Sequence, residues 1–460
     1  MTIVGLLMLT VLTAQKSGKY TAIYPGVPWL DDRSQTISAH GACIIKENNR
    51  FYLFGEIHSD TSNAFAGFSC YSSTDLMNWK YESVALPVQA TGGLSADRVG
   101  ERPKVMKCPS TGEYIMYMHA DSLGYKNQSV GYATSSSITG PYTFRGSLLF
   151  NGKPIRKWDI GTFQDNDGTG YILIHGGEIY QLSLDYKLVI EQVSKAFVAG
   201  GESPAMFRKD SLYYWLGSQL TSWERNDNYY FTATYIRGPW TNRGLIAPEG
   251  TLTWNAQTSY VLPVAGTQDT TYLFMGDRWS FPKQNSAATY VWLPLTVKAG
   301  TISLPVFQES WKLDIRKGTA AAVPIKDKYF DKPESYKSYY TGQWQLQDSS
   351  LISSSDKMGA SVSRQVKGKQ IYLYGEKLPD GGYARLQILD RKGRAVANVV
   401  LDFYCKYPVK GLVYASPVFK KGRYTMELTV MGEHGNWSDK KKNIYGSTGN
   451  KVTMSNIIIN

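Results

Sequence analysis

Six residues in the N-terminal two-thirds of the chain carry side chains suited to acid–base or sugar-binding work, and four of them open equivalent segments. Glu202 lies in "AGGESPAMF", between two glycines and a Ser-Pro, ahead of the aromatic run "SLYYWLGS". Glu101 in "VGERPKVM", Asp159 in "KWDIGTF" and Gln257 in "WNAQTSYVLPV" hold the same place before other runs of that kind. His40 stands before the first strand of its own unit, and Glu56 follows the second, "RFYLFGE". Alone, each is most simply a solvated charge at a turn. Four carboxylates and a glutamine recurring at matching places, in a chain with 38 acidic residues, point instead to one shared pocket. Crowded carboxyl groups differ in proton affinity, so one can serve as an acid while its neighbours stay ionised.

The elements that must hold them repeat. Five aromatic strands share a pattern: "RFYLFGE", "EYIMYMHA", "GYILIHGG", "SLYYWLGS" and "TYLFMGDRW". Four follow turn signals, "ENN", "STG", "DNDG" and "RKD", that mark hairpin entries. Each is succeeded by a further strand, and the units recur at roughly 40–65 residues. Four-stranded units at that period, five times, predict an all-β five-bladed propeller over residues 20–318, whose innermost strands converge on a central channel. From about residue 319 the pattern changes to a linker and short alternating strands such as "YARLQILDRKG" and "RYTMELTVMGEH". These predict a β-sandwich accessory domain over 319–460.

Composition narrows the rest. The net charge is +12, but the Lys and Arg residues are scattered, and the densest run is "SDKKKN" at 438–443. No nucleic-acid-reading signature accompanies it, so nucleic acid is not an expected partner. Residues 3–12, "IVGLLMLTVL", are too few to cross a bilayer and fit the apolar region of an export signal. Residues 1–19 are therefore expected to be a signal peptide, the protein periplasmic or extracellular, without stable membrane insertion. The four cysteines show no metal-ligand spacing. Cys43 and Cys70 are expected on strands one and three of one unit, about 10 Å apart and beyond disulfide reach. "DNDG" at 165–168 resembles half of a calcium loop but lacks the later ligands and reads as a hairpin turn. No cofactor is required by these residues; a structural calcium ion in the channel stays open.

The motifs "ISAHGACIIKENNRFYLFGE", "GERPKVMKCPSTGEYIMYMHAD", "WDIGTFQDNDGTGYILI", "ESPAMFRKDSLYYWLGS", "WNAQTSYVLPV" and "YLFMGDRW", in this order, resemble glycoside hydrolase family 43, and in particular its exo-β-1,3-galactanase branch. The resemblance implies that Glu202 is the general acid and that Asp159 orients it and raises its pKa. The aspartate that family members carry early in the first blade as general base is missing from "SAHGA". The galactanase branch shares that absence and places a glutamine, matched by Gln257, where a base would stand. Glu101 matches a further essential glutamate. Gln257 would position water or act as an imidic acid tautomer. His40, Glu56, Arg102, Tyr125, Glu178, Trp223 and Arg278 are expected to bind substrate, Trp223 as a stacking platform or as simple packing. The implied reaction is exo-acting hydrolysis of a poly- or oligosaccharide, releasing galactose with inversion, by a monomeric protein. The segment "ILIHGGEIYQLSLDY" is shorter than that branch leads one to expect. An arabinofuranosidase, a galactofuranosidase or a non-catalytic glycan-binding propeller are the alternatives.

Overall fold

The computed structural model describes residues 18–326, 338–347 and 352–460. The expected signal peptide lies, but for its last two residues, outside the described residues. Almost all regular structure is β. Five sheets, antiparallel but for one short parallel pairing in the third, follow one another along the chain. The first holds β1 (His40–Glu47), β2 (Arg50–Glu56), β3 (Phe68–Ser73) and β4 (Lys80–Leu86). The second holds β5 (Arg98–Lys107), β6 (Tyr114–Ser122), β7 (Ser129–Ser135) and β8 (Thr143–Ser147). The third begins with two short strands, β9 (Leu149–Phe150) and β10 (Lys153–Pro154), and continues with β11 (Ile160–Gln164), β12 (Gly170–Ile174), β13 (Ile179–Leu182) and β14 (Val189–Ser194). The fourth holds β15 (Glu202–Lys209), β16 (Leu212–Ser218), β17 (Tyr229–Ala233) and β18 (Thr241–Leu245). The fifth has β19 (Gln257–Ala265), β20 (Thr270–Arg278) and β21 (Thr289–Pro294).

The expectation of four strands per unit therefore holds for three sheets. The third has six strands and the fifth three. Beside the short fifth sheet runs the N-terminal segment, where the Gly26 N–H donates to the Tyr290 carbonyl at 2.6 Å.

The aromatic repeats are β2, β6, β12, β16 and β20, each the second strand of its sheet counted from the inner edge strand β1, β5, β11, β15 or β19. They are buried on both faces because each sheet is packed between two others. One apolar cluster joins sheets one and two through Phe54, Phe68, Val105 and Met116. Another joins sheets two and three through Ile115, Tyr117, Ile160 and Ile172. Sheets three and four meet at Leu173, Met206 and Trp215. Sheets four and five meet at Phe207, Tyr214, Val261 and Phe274. Ile44 and Leu53 of the first sheet meet Leu262 and Met275 of the fifth. Side chains of this size contribute about 1.5–3 kcal/mol each on full burial, which fixes the sheets face to face. The first strands touch in the same sequence: β1 with β5, β5 with β11, β11 with β15, β15 with β19, and β19 with β1.

The C-terminal strands surround a separate apolar core of Val362, Leu373, Leu386, Val399, Met426 and Leu428. They form a five-stranded sheet and two three-stranded ones. The two regions are bound tightly together. Tyr24 meets Tyr372 hydroxyl to hydroxyl at 3.1 Å, and Tyr404 donates to Glu224 at 2.5 Å. At the start of the expected linker, Thr319–Ala322 is a strand paired with Trp311–Asp314, and residues 327–337 of it lie outside the described residues. "DNDG" is the β11–β12 turn, where Gly168 at φ +84° donates to the Asp165 carbonyl. Cys43 and Cys70 sit on β1 and β3, and all four thiols are buried and unbridged. No helix among the described residues is long and apolar enough to cross a membrane.

Candidate active site

The site is built from one local device used repeatedly. In four sheets the first strand breaks register near its start: between His40 and Cys43, Glu101 and Lys104, Glu202 and Ala205, and Thr258 and Tyr260. Such bulges bend a strand and re-aim its side chains. The residue after the functional one has a left-handed backbone in three cases: Gly41 at φ 58°, Arg102 at 55° and Ser203 at 56°. For Arg102 and Ser203 this conformation is unfavourable by about 1–2 kcal/mol, strain that the surrounding sheets hold in place. At Gly41 there is also no room, since a Cβ would collide with the Glu56 carboxylate. In the third sheet Asp159 itself is left-handed, at φ 46°, and the strand behind it is regular.

Register also brings a polar partner opposite each functional residue at the end of an aromatic strand. His40 faces Glu56, Glu101 faces His119, Glu202 faces Ser218 and Gln257 faces Asp277.

Arg102 ties the site together. Its backbone N–H donates to Glu56 at 2.8 Å and its Nε to Asp159 at 2.9 Å. One terminal nitrogen donates to Gln257 Oε1 at 2.7 Å and the other to the Thr258 carbonyl at 3.4 Å. Asp159 also accepts the Ser203 N–H at 2.8 Å. Burial opposes the charge on Asp159, but Arg102 and the Ser203 N–H hold its carboxyl below the usual range.

Glu202 is the exception among these carboxyls. Burial, reinforced by the Asp159 charge, pushes it up to about 8. It thus keeps its proton near neutral pH. Carboxylate crowding was the expected cause; desolvation is the larger one, with Asp159 and Glu101 adding to it.

Gln257 is saturated. Its Oε1 accepts from Arg102 and, at 2.8 Å, from Trp279 Nε1. Its Nε2 donates to Ser218 Oγ at 2.9 Å and Glu202 Oε2 at 3.3 Å. The two N–H donors fix which end is oxygen, since a reversed amide would set N–H against N–H. They also favour the ordinary amide over the imidic acid, whose O–H would face those donors.

Glu101 accepts from the Tyr125 hydroxyl at 2.6 Å and lies 3.0 Å from His119 Nδ1. His119 Nε2 is 3.3 Å from Asp121. A neutral imidazole donates from one nitrogen only, so a ring between two carboxylates is an imidazolium. Burial opposes that charge, but Asp121 and Glu101 raise His119 to about 9. Glu56 lies 2.9 Å from His58 in a second buried ion pair.

The other expected residues divide. Arg102 and Tyr125 are in the network. His40 has no exposed surface; it stacks on Tyr290 and bonds Asp277 at 3.2 Å, so it supports the site rather than touching a sugar. Glu56 is likewise buried under Arg102. Arg278, also expected to bind substrate, spends its nitrogens on the carbonyls of Asn255, Gly26 and Trp254. Glu178 is engaged by Lys157 and Tyr180, both at 2.7 Å, apart from the Glu202 network. Trp223 stacks on Phe281 at 5.9 Å and meets Trp279 edge-on, which leaves one face at most for a ligand. Sequence reasoning passed over His119, Asp121, His58, Ser218, Asp277 and Trp279. All lie at or just beyond the end of a second strand, so the register rule would have found them. Among the described residues no group of three or more His, Cys, Asp or Glu is arranged to hold a metal ion.

Known proteins resemble this chain in sequence and fold. The sequence model of Glycosyl hydrolases family 43 matches residues 35–246. A Bifidobacterium bifidum protein assigned as a candidate exo-β-1,3-galactanase is 38% identical over 61% of this chain and 95% of its own, with a TM-score of 0.57. The exo-β-1,3-galactanase of Phanerochaete chrysosporium, solved with galactose, is 27% identical over 95% of this chain and 99% of its own, with a TM-score of 0.67. That of Clostridium thermocellum is 28% identical over 83% of each chain, with a TM-score of 0.60. No curated protein sequence matches. With a protonated glutamic acid set among ionised partners, and these likenesses in sequence and fold, the chain belongs to glycosyl hydrolases family 43 and is a glycoside hydrolase.

Proposed function

We propose that the protein is an exo-acting, inverting β-1,3-galactanase whose five N-terminal sheets are the blades of a closed propeller and whose C-terminal sheets form a sandwich. The observation that carries the reading is the Glu202 carboxyl, raised by burial and by Asp159 while Arg102, the cation that acts on it, is already paired with Asp159. A protonated carboxyl at the mouth of converging strands is the acid a glycosidic oxygen needs as it leaves. Asp159, held by Arg102 and Ser203, keeps that proton in place. Gln257, with its oxygen occupied, orients rather than removes a proton. The proton of the attacking water then goes to Glu101, whose side chain keeps 15% of its surface exposed, against 4% for Glu56. The choice of β-1,3-galactan follows the named activities of the relatives from Phanerochaete chrysosporium and Clostridium thermocellum.

The test is product analysis with a matched variant. On β-1,3-galactan the wild type should release galactose alone, as the α anomer before mutarotation, read by proton NMR. Glu202→Gln should lower turnover at least about a hundredfold, with a smaller loss on substrates whose leaving group needs no proton. Initial β-galactose would overturn inversion. Near-normal hydrolysis by Glu202→Gln would overturn the acid assignment.

A further inference from the structure

The site is acidic inside and basic at its edge, and the edge is built from both regions of the chain. A hairpin of the C-terminal region, Asn436–Ser438 paired with Ile444–Gly446, carries the turn residues Asp439–Asn443. That turn reaches the site: Lys440 Nζ donates to the Tyr125 carbonyl at 3.2 Å and lies over the Tyr125 ring at 5.4 Å. Tyr125 is the residue whose hydroxyl bonds Glu101. Lys126 follows it, exposed. Arg156, three residues before Asp159, donates to the side-chain oxygen of Asn127 on the same loop at 2.8 Å. Lys441 and Lys442 continue the exposed turn.

None of these five cations forms an ion pair with a carboxylate among the described residues. The carboxylates nearby are engaged elsewhere. Asp439 caps its own turn, accepting from the Lys441 and Asn443 N–H groups; Asp121 faces His119, and Glu178 faces Lys157. Lys440 and Arg156 are pinned by neutral partners on the single loop Tyr125–Asn127. Positive groups fixed side by side without counter-charges repel one another and raise the local concentration of an anion. The neutral backbone of a galactan gives them nothing to pair with.

We propose that Lys126, Arg156, Lys440, Lys441 and Lys442 form a collar that recognises an anionic substituent, a uronic-acid carboxylate or a sulfate ester, on the glycan entering the site. This rests on the glycoside hydrolase reading of the pocket, and it makes the C-terminal region a specificity element.

The experiment compares kcat/KM on four polymers of like backbone: neutral β-1,3-galactan, one bearing uronic-acid branches, the same after carboxyl reduction, and a sulfated one. At low salt the charged forms should be favoured about three- to tenfold over their neutral counterparts, and the preference should collapse near 1 M NaCl, where screening acts within about 3 Å. The K440Q/R156Q variant should lose the preference while its rate on neutral galactan stays within about twofold. Preference for only one charged polymer identifies the substituent. Equal rates on uronic-acid-bearing, sulfated and neutral polymers, or a preference that survives in K440Q/R156Q, would overturn the collar. Calorimetric titration with a uronic-acid-bearing galacto-oligosaccharide reads binding without turnover. Weaker binding by K440Q/R156Q supports the collar and unchanged binding refutes it, whereas failure to hydrolyse neutral galactan would strike the activity reading alone.

Discussion

The inner strands of the N-terminal sheets and the strands of the C-terminal sheet use the same fold element for opposite ends. In the C-terminal sheet Ser361–Gly368 runs against Gly422–Val430 through eight consecutive pairs without a register shift. Alternate residues of its strands, such as Val362, Val366, Met426 and Leu428, fill an apolar core. The inner strands β1, β5, β15 and β19 all slip register near their first residues. There they place left-handed residues and buried charges where the C-terminal sheet places valine and leucine. Regular pairing gives stability and no chemistry. The slipped starts give chemistry, and must draw their stability from ion pairs and from the apolar clusters behind them.

The largest way to break this contrast is Arg102→Met. Arg102 reaches Asp159, Gln257 and the Thr258 carbonyl through its side chain. Removing it leaves Asp159 buried and unpaired, which destabilises by about 3–5 kcal/mol. Urea unfolding should show that loss, and turnover should fall with it. A fall of less than 1 kcal/mol, of the kind expected at an exposed ion pair, would mean the site is not held from Arg102.

His119→Gln separates the two regions by pH. In the folded protein His119 is raised to about 9 from 6.5. A raised folded pKa means that its bound proton stabilises the fold fully below pH 6.5, and that the contribution fades as pH rises through about 9. The wild type should therefore exceed His119→Gln by a few kcal/mol at pH 6, a gap that narrows towards pH 10. Denaturant unfolding at three pH values reads it. A gap that stays constant with pH would show that His119 acts by packing alone.

The fold was legible because aromatic second strands buried on both faces leave a repeat that survives any change at the site. The carboxylates were legible because they recur. Glu202 and Gln257 open their strands where the repeat put them, and Glu101 lies three residues into its own. Their partners were not, because the sequence does not show register. His119, held by Asp121 two residues on, became the partner of Glu101 only when β6 was laid against β5. Arg278 misled for the same reason: it ends β20 beside the site, yet its donors turn to carbonyls around Asn255. The third sheet departed from four strands through the β9–β10 hairpin, whose Asn151-Gly152 turn is a hairpin signal that the count of aromatic repeats passed over, and the fifth sheet has three strands with no such mark in the sequence.

Asp159→Asn tests the coupling between Asp159 and Glu202. Burial is the main reason the Glu202 carboxyl is raised, and the Asp159 charge is the next. Removing that charge also frees Arg102 to act on Glu202, so both changes lower its pKa. The basic limb of the kcat profile should move to lower pH by about one unit, equivalent to about 1.4 kcal/mol. A limb that does not move would mean that burial alone sets Glu202, and that Asp159 serves only to anchor Arg102 and Ser203.

The smallest expected effect sharpens the contrast most directly. Ser203 is a left-handed residue at the bulge beside Glu202, and Ser363 lies in the regular pairing of the C-terminal sheet. Glycine at either site increases the freedom of the unfolded chain, which costs about 0.5–1 kcal/mol. At position 203 it also relieves about 1–2 kcal/mol of backbone strain and keeps the N–H that Asp159 accepts. Ser203→Gly should then be neutral or more stable by up to about 1 kcal/mol, while Ser363→Gly should be less stable by about 1 kcal/mol, both read by urea unfolding at one pH. Equal losses in the two variants would mean that the bulge carries no strain, and that the site is set by its ion pairs alone.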